Sequence, residues 1–187
     1  TRCDFDLNDV VIQVRESETN AKKLIVKLVA AGCEYDNYVW LGETPIVWEG
    51  GAEVHDAFGV THGVMVNTGN NKGVDKTPVE VAIDKPTNFD FQNADFRIRP
   101  FRINSNPNDD ANATSGYITI VKEGNGKELW GPLGLAIPAK WKWPKERNTT
   151  NYAYPAFTEW GKSSDLTLRP GLSGWYKNPT SGLVYGE

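Results

Sequence analysis

The residues of this chain best suited to chemistry stand at its start, where Asp4-Phe5-Asp6-Leu7-Asn8-Asp9 runs directly into Val10-Val11-Ile12-Gln13-Val14. Three carboxylates and a carboxamide immediately before a β-branched run form an oxygen-rich mouth at the edge of a strand. That is the donor chemistry of a hard cation such as calcium, which takes about 6–8 oxygen ligands. Asp4, Asp6 and Asn8 alternate as at the opening of an EF-hand loop, but Asp9 stands where that loop needs glycine and Arg15 where it needs the bidentate glutamate. A calcium ion held by Asp4, Asp6, Asn8 and Asp9 would therefore draw further ligands from a distant loop, with Asp36, Asp90, Asp95, Asp109 and Asp110 available. The alternative is an Asx-type turn in which the same side chains only accept backbone N–H bonds. Repulsion among crowded carboxylates favours the cation.

The remaining chemistry-bearing residues are less directive. His55 and His62 lie in a glycine-flanked region with no cysteine or second histidine pair to complete a zinc set, and read as structural. No nucleophile elbow, His-Glu-x-x-His helix or phosphate-cradling glycine loop occurs. Some pair among the 24 acidic residues could stand at glycosidase spacing, but nothing selects one. The expectation is a protein that binds rather than catalyses. Trp40, Trp48, Trp130, Trp141 and Trp143 supply rings able to stack on a sugar or anchor a protein partner. Trp160 follows a helical period and is expected in the core.

These groups must be positioned by strands. Residues 10–15 and 22–31 flank the polar turn Glu16-Ser17-Glu18-Thr19-Asn20 and predict a hairpin. Centring the turn near Glu18 sets Val10 against Val26 and Ile12 against Leu24. Val10, Ile12, Val14, Leu24, Val26 and Leu28 then share an apolar face, with Gln13, Arg15, Lys23 and Lys27 on the other. The same register places Cys3 opposite Cys33. Further strands are predicted at Tyr38 to Leu41, Val64 to Asn67, Val79 to Ile83, Phe96 to Ile103, Tyr117 to Lys122, Glu128 to Trp130 and Gly134 to Ile137, separated by Gly- and Asn-rich turns. One helix is predicted near residues 151–160, from Ala153, Ala156, Phe157 and Trp160 at helical spacing, with Pro155 in its first turn and Gly161 after it. The fold class is all-β, a jelly-roll-like β-sandwich with one short helix.

Length and charge narrow the partners. A chain of 187 residues is expected to form a single domain over 1–187. A net charge of −4, with basic residues only in short clusters, argues against nucleic acid as a partner. No apolar run is long enough to span a bilayer, and the first residues carry no signal-peptide core, so no transmembrane segment is expected.

Several segments together resemble the LruC-type domain, a bacterial domain of unknown function found in secreted proteins and cell-envelope lipoproteins. The opening Asp4-Phe5-Asp6-Leu7-Asn8-Asp9-Val10-Val11 is similar to that family's start. Ala30-Ala31-Gly32, Val54-His55 and Val66-Asn67-Thr68 are similar to its middle. Leu135-Ala136-Ile137-Pro138, Trp143-Pro144-Lys145-Glu146, Ala153-Tyr154-Pro155-Ala156-Phe157, Trp160 and Trp175-Tyr176 follow in the family's order. The stretch from Tyr117 to Trp130 departs from the family's pattern, and Gly174 stands where an acidic residue often precedes Trp-Tyr. The resemblance implies a β-sandwich with a calcium site, a cell-envelope, outer-membrane-surface or extracellular location, and no established activity. With that exported location, the hairpin register leads to an expected Cys3–Cys33 disulfide, the alternative being two small buried thiols.

The resulting expectation is a non-catalytic cell-surface or secreted module, stabilised by structural calcium and working in adhesion or surface assembly with a surface protein or glycan. A carbohydrate-binding module is the second reading and an envelope hydrolase the third. Coplanar exposed rings in a groove would mark the sugar binder, an exposed edge or flat patch the adhesion module, and a deep pocket with perturbed carboxylates the enzyme.

Overall fold

The computed structural model describes residues 7–91, 94–114, 117–119, 137, 141–162 and 174–186. Two antiparallel sheets form a sandwich-like, all-β fold of the class the sequence predicts. The first sheet contains β1 (Val11–Glu16), β2 (Lys23–Ala30) and β5 (Val79–Asp84), in the order β1-β2-β5. The second contains β3 (Asp36–Leu41), β4 (Thr44–Pro45), β6 (Phe96–Phe101) and β7 (Ile118–Thr119), in the order β4-β3-β6-β7.

The core follows from the period-2 pattern of these strands. Leu24, Val26 and Leu28 of β2 are fully buried and meet Val39, Leu41 and Phe96 from the other sheet. Val10, Ile12 and Val14 pack against the same cluster, so the predicted apolar face of the hairpin is the observed one. Trp48 fills the layer between the sheets, and its Nε1 donates to the Val26 carbonyl at 3.3 Å. The loop carrying it closes tightly on Gly50, where a Cβ would lie 2.4 Å from the Asp56 carbonyl oxygen. Only glycine fits there.

The hairpin register differs from the expected one by four residues. Ile12 pairs with Leu28 and Val14 with Val26, with an irregularity between Val11 and Ile12. The cause is local: Asn20 Oδ1 accepts from Lys22 N and the Asn20 carbonyl from Lys23 N, which puts the turn after Asn20 rather than at Glu18. A slip of an even number preserves which side chains face inward, so the faces survive. Cys3, expected opposite Cys33, lies outside the described residues. Gly32 N donates to the carbonyls of Asn8 and Asp9, and Cys33 is buried.

Two further expectations are corrected. The single helix over 151–160 is two, α2 (Thr150–Ala153) and α3 (Phe157–Lys162), after α1 (Val54–Phe58), which the sequence reading missed. Pro155 forces its predecessor out of the helical region, and Tyr154 accordingly adopts φ −134° and ψ 88°. Gly161 lies within α3 rather than beyond it. Residues 64–67 make isolated bridges, Val66 to Ala31 and to Val74, instead of a strand. The strands predicted at Glu128 to Trp130 and Gly134 to Ile137 lie outside the described residues, Ile137 excepted.

The C-terminal segments dock on the first sheet's other face. Trp143 packs with Val11, Val29 and Ala30, and its Nε1 donates to the Asn67 carbonyl at 2.8 Å. Asn8 Nδ2 donates to the Pro144 carbonyl. Behind Trp143, Tyr154 and Trp175 meet edge to face at 5.3 Å, with Phe157 and Trp160 stacked beside them.

Candidate functional site

Two constellations emerge, neither of them the one the sequence singled out. The first gathers at the start of β3 and of α1. Glu53 precedes α1 with extended backbone (φ −79°, ψ 140°) and caps it, its Oε2 accepting from the backbone N–H groups of His55 at 2.6 Å and Asp56 at 3.1 Å. Its Oε1 accepts from Asn37 N at 2.9 Å and from His55 Nδ1 at 2.9 Å. One buried carboxylate thus joins a helix start, a strand edge and a histidine. His55 Nε2 reaches the Cys33 carbonyl at 3.2 Å, so both ring nitrogens face acceptors.

His62 stacks on His55 with ring centroids 5.9 Å apart and stands between two further carboxylates. Its Nε2 donates to Asp56 Oδ1 at 3.0 Å, and its Nδ1 lies 2.8 Å from Asp36 Oδ1. The second approach is close but out of line for an N–H···O bond, and both atoms are buried without a hydrogen-bond partner. Asp36 Oδ2, by contrast, accepts from Asn104 N at 2.7 Å. Asp36, Glu53 and His55 are each 1% exposed or less, whereas His62 borders an open depression of about 510 Å³ that Glu34, Tyr35, Gly63, Arg102 and Ile103 also line.

The charges respond to this packing. Burial raises the Asp36 carboxyl above its ordinary range against the opposing pull of His62 and Asn104 N. Burial alone would also raise Glu53, but the His55 contact and the backbone donors outweigh it and hold Glu53 low. Burial would lower His62, but the Asp56 hydrogen bond and the charges of Asp36, Glu53 and Asp56 prevail and raise it. Three carboxylates and two imidazoles in contact can store a proton, clamp the α1–β3 junction or ligate a cation.

The second constellation is the outer face of the second sheet. The β3–β6 register sets Tyr38 against Arg99 and Trp40 against Arg97, and β7 brings Tyr117 alongside. Trp40 meets the Tyr117 ring at 5.5 Å and 83°, Tyr38 meets Phe101 at 5.6 Å and 89°, and Arg99 lies over Tyr117 at 4.9 Å. Arg97 is paired with Asp95 and Glu43, and Arg99 with Asp110. The result is a half-exposed patch of rings and neutralised guanidinium groups, with Tyr117 47% exposed.

The sequence-derived site residues scatter. Asp4, Asp6, Cys3 and Trp130 lie outside the described residues. Asn8 is buried with its Oδ1 lacking a hydrogen-bond partner, and Asp9 is exposed. Of the distant acids, Asp36 belongs to the histidine cluster, while Asp95 and Asp110 hold arginines on the ring-bearing face. Trp48 and Trp143, 2% and 6% exposed, are core residues and unavailable for stacking, which corrects that expectation. Their indole N–H groups found backbone carbonyls inside, so full burial left no donor unpaired. Trp40 keeps a solvent-facing position, and Trp141 is half-buried between the Trp143 and Tyr154 clusters. The histidine cluster was missed although Glu53, His55, Asp56 and His62 crowd into ten residues. That density was its signal.

A profile of a domain of unknown function (DUF4842) matches residues 102–170, well under half of the chain. No curated protein and no solved structure matches. Among the described residues, no helix is long and apolar enough to cross a membrane.

Proposed function

We propose that this chain is a non-catalytic, LruC-type β-sandwich module of a cell-surface or secreted protein, stabilised by calcium at its first strand, that serves adhesion or surface assembly. The observation that carries the reading is the patch of Tyr38, Trp40, Tyr117, Arg97 and Arg99, held in place by the β3–β6–β7 ladder. Aromatic rings and arginine are the residue types that anchor protein interfaces. The rings meet edge to face rather than coplanar, which favours a protein partner over a sugar. A glycan stacked on Trp40 is the second reading.

Two observations support the rest. The segments from Leu135 to Trp160 that resemble the LruC-type domain fall inside the stretch matched by the unknown-function profile. Asn8 Oδ1 is a buried acceptor without a hydrogen-bond partner, beside an acidic run whose charges a cation would neutralise. Binding to the folded state alone would add about 2.7 kcal/mol at a hundredfold excess of calcium over its dissociation constant.

Melting curves in calcium and in chelator test the ion, with a higher midpoint in calcium expected; coincident curves count against it. Screens of envelope proteins and glycans with the native chain and Trp40→Ala test the surface, and the variant should lose the partner while keeping its fold. Generic glycosidase, esterase and peptidase assays run beside them should be silent. Turnover abolished by a carboxylate substitution would replace this reading with that of an envelope hydrolase.

A further inference from the structure

We propose that Asp36 and His62 are the inner ligands of a divalent transition-metal site, with zinc as its simplest occupant, separate from the acidic segment at the start of the chain. The two histidines of the cluster make the case by contrast. Each gives one ring nitrogen to a firm acceptor, His55 Nε2 to the Cys33 carbonyl and His62 Nε2 to Asp56 Oδ1. His55 then points its other nitrogen along a normal hydrogen bond to Glu53 Oε1. His62 does not. Its Nδ1 and Asp36 Oδ1 stand 2.8 Å apart, side by side rather than in line, and neither has another partner.

That arrangement suits two ligands of one ion. Atoms bound to a common metal at about 2.0–2.2 Å lie beside each other, each aiming at the ion rather than at its neighbour. With 2.8 Å between them they subtend close to a right angle at the metal, and a separation greater by about 0.5 Å opens this to the tetrahedral angle of zinc. Asp56, accepting the other ring N–H of His62, is the carboxylate that metal-bound histidines commonly engage to fix their tautomer. Asp36 Oδ2 is itself fixed by Asn104 N, which aims Oδ1 at the site. Glu53, with donors on both of its oxygens, is occupied structurally and contributes its charge. The remaining coordination positions open onto the depression beside His62, where water completes the shell. A mixed imidazole and carboxylate donor set favours zinc, manganese or iron over calcium.

The test uses the whole chain, stripped with chelator and titrated with zinc chloride by calorimetry, with cobalt(II) absorption as a second probe. One zinc per chain is expected. His62→Gln should abolish uptake, and Asp56→Asn should weaken it by about 10–100-fold by releasing the ring. Asp9→Asn, in the acidic segment, should leave zinc binding unchanged. Because His62 is only part-buried, near-ultraviolet circular dichroism of His62→Gln can establish that the variant is folded. In the unaltered protein, the ¹⁵N resonance of His62 Nδ1 should move on zinc addition. No zinc uptake, uptake by folded His62→Gln equal to the parent's, or an unmoved His62 resonance would each overturn the site.

Discussion

The outer face of the first sheet and the junction of β3 with α1 both set carboxylates against cationic or basic side chains, yet they differ in what their charges do. On the sheet, Lys27 and Arg15 reach Glu80, Lys23 reaches Asp84 and Lys85 reaches Glu16, all with solvent on at least one partner. At the junction, Glu53, His55 and Asp36 are withdrawn from water almost completely. Exposed pairs gain little, because water and salt screen them and the long side chains lose entropy when they pair. Buried groups cannot fall back on solvent, so each must find a partner within the protein. The ladder solubilises a sheet face, whereas the cluster fixes one geometry.

The largest effect should come from breaking the buried cluster at its centre. Glu53→Gln keeps the shape but removes the charge facing His55 and replaces one acceptor with a donor opposite backbone N–H groups. A loss of about 3–5 kcal/mol is expected in urea denaturation. A loss below about 1 kcal/mol would place Glu53 with the surface ladder.

A smaller effect should appear with pH in chelator-stripped protein. The raised pKa of His62 means that the folded chain holds that proton more tightly than the unfolded chain. Its contribution is complete below the usual 6.5 and is lost as pH rises through the folded value. Asp36, also raised, acts in the same sense from 3.8 upward, while lowered Glu53 contributes above 4.5 and fades on acidification. Stability should therefore peak at mildly acid pH and decline above it. Melts from pH 5 to 8 check this: His62→Gln should flatten the alkaline limb, and saturating zinc should do the same by standing in for the proton. An alkaline limb unchanged in His62→Gln would assign the decline to other groups.

The smallest effect is expected at Glu80, which bridges Arg15 and Lys27 on the exposed ladder. Glu80→Gln should leave the melting midpoint within experimental error, at low and at high salt alike. A clear salt-sensitive loss would show the ladder acting as a cooperative network.

The alternation of Val10, Ile12, Val14, Leu24, Val26 and Leu28 determined by itself which face of the first hairpin is buried, because a two-residue period leaves no other way to hide six branched side chains. Most of β3, β5 and β6, and the all-β class, were legible for the same reason. The register was not, since slips of two or four residues hide the same side chains, and only the Asn20 turn distinguished them. The division of one expected helix into two turned on Pro155, whose cost depends on the neighbouring packing. The histidine cluster lay furthest beyond the sequence: Asp36, at the start of β3, and His62 are separated by the rest of that strand, β4, the loop that carries Trp48 and α1. Only closure of the sandwich, with Asn104 folding back over Asp36, brings a buried carboxylate and an imidazole within 2.8 Å. Pattern along a chain reports which side chains avoid water, whereas contact between distant polar groups is decided by where the packed elements end.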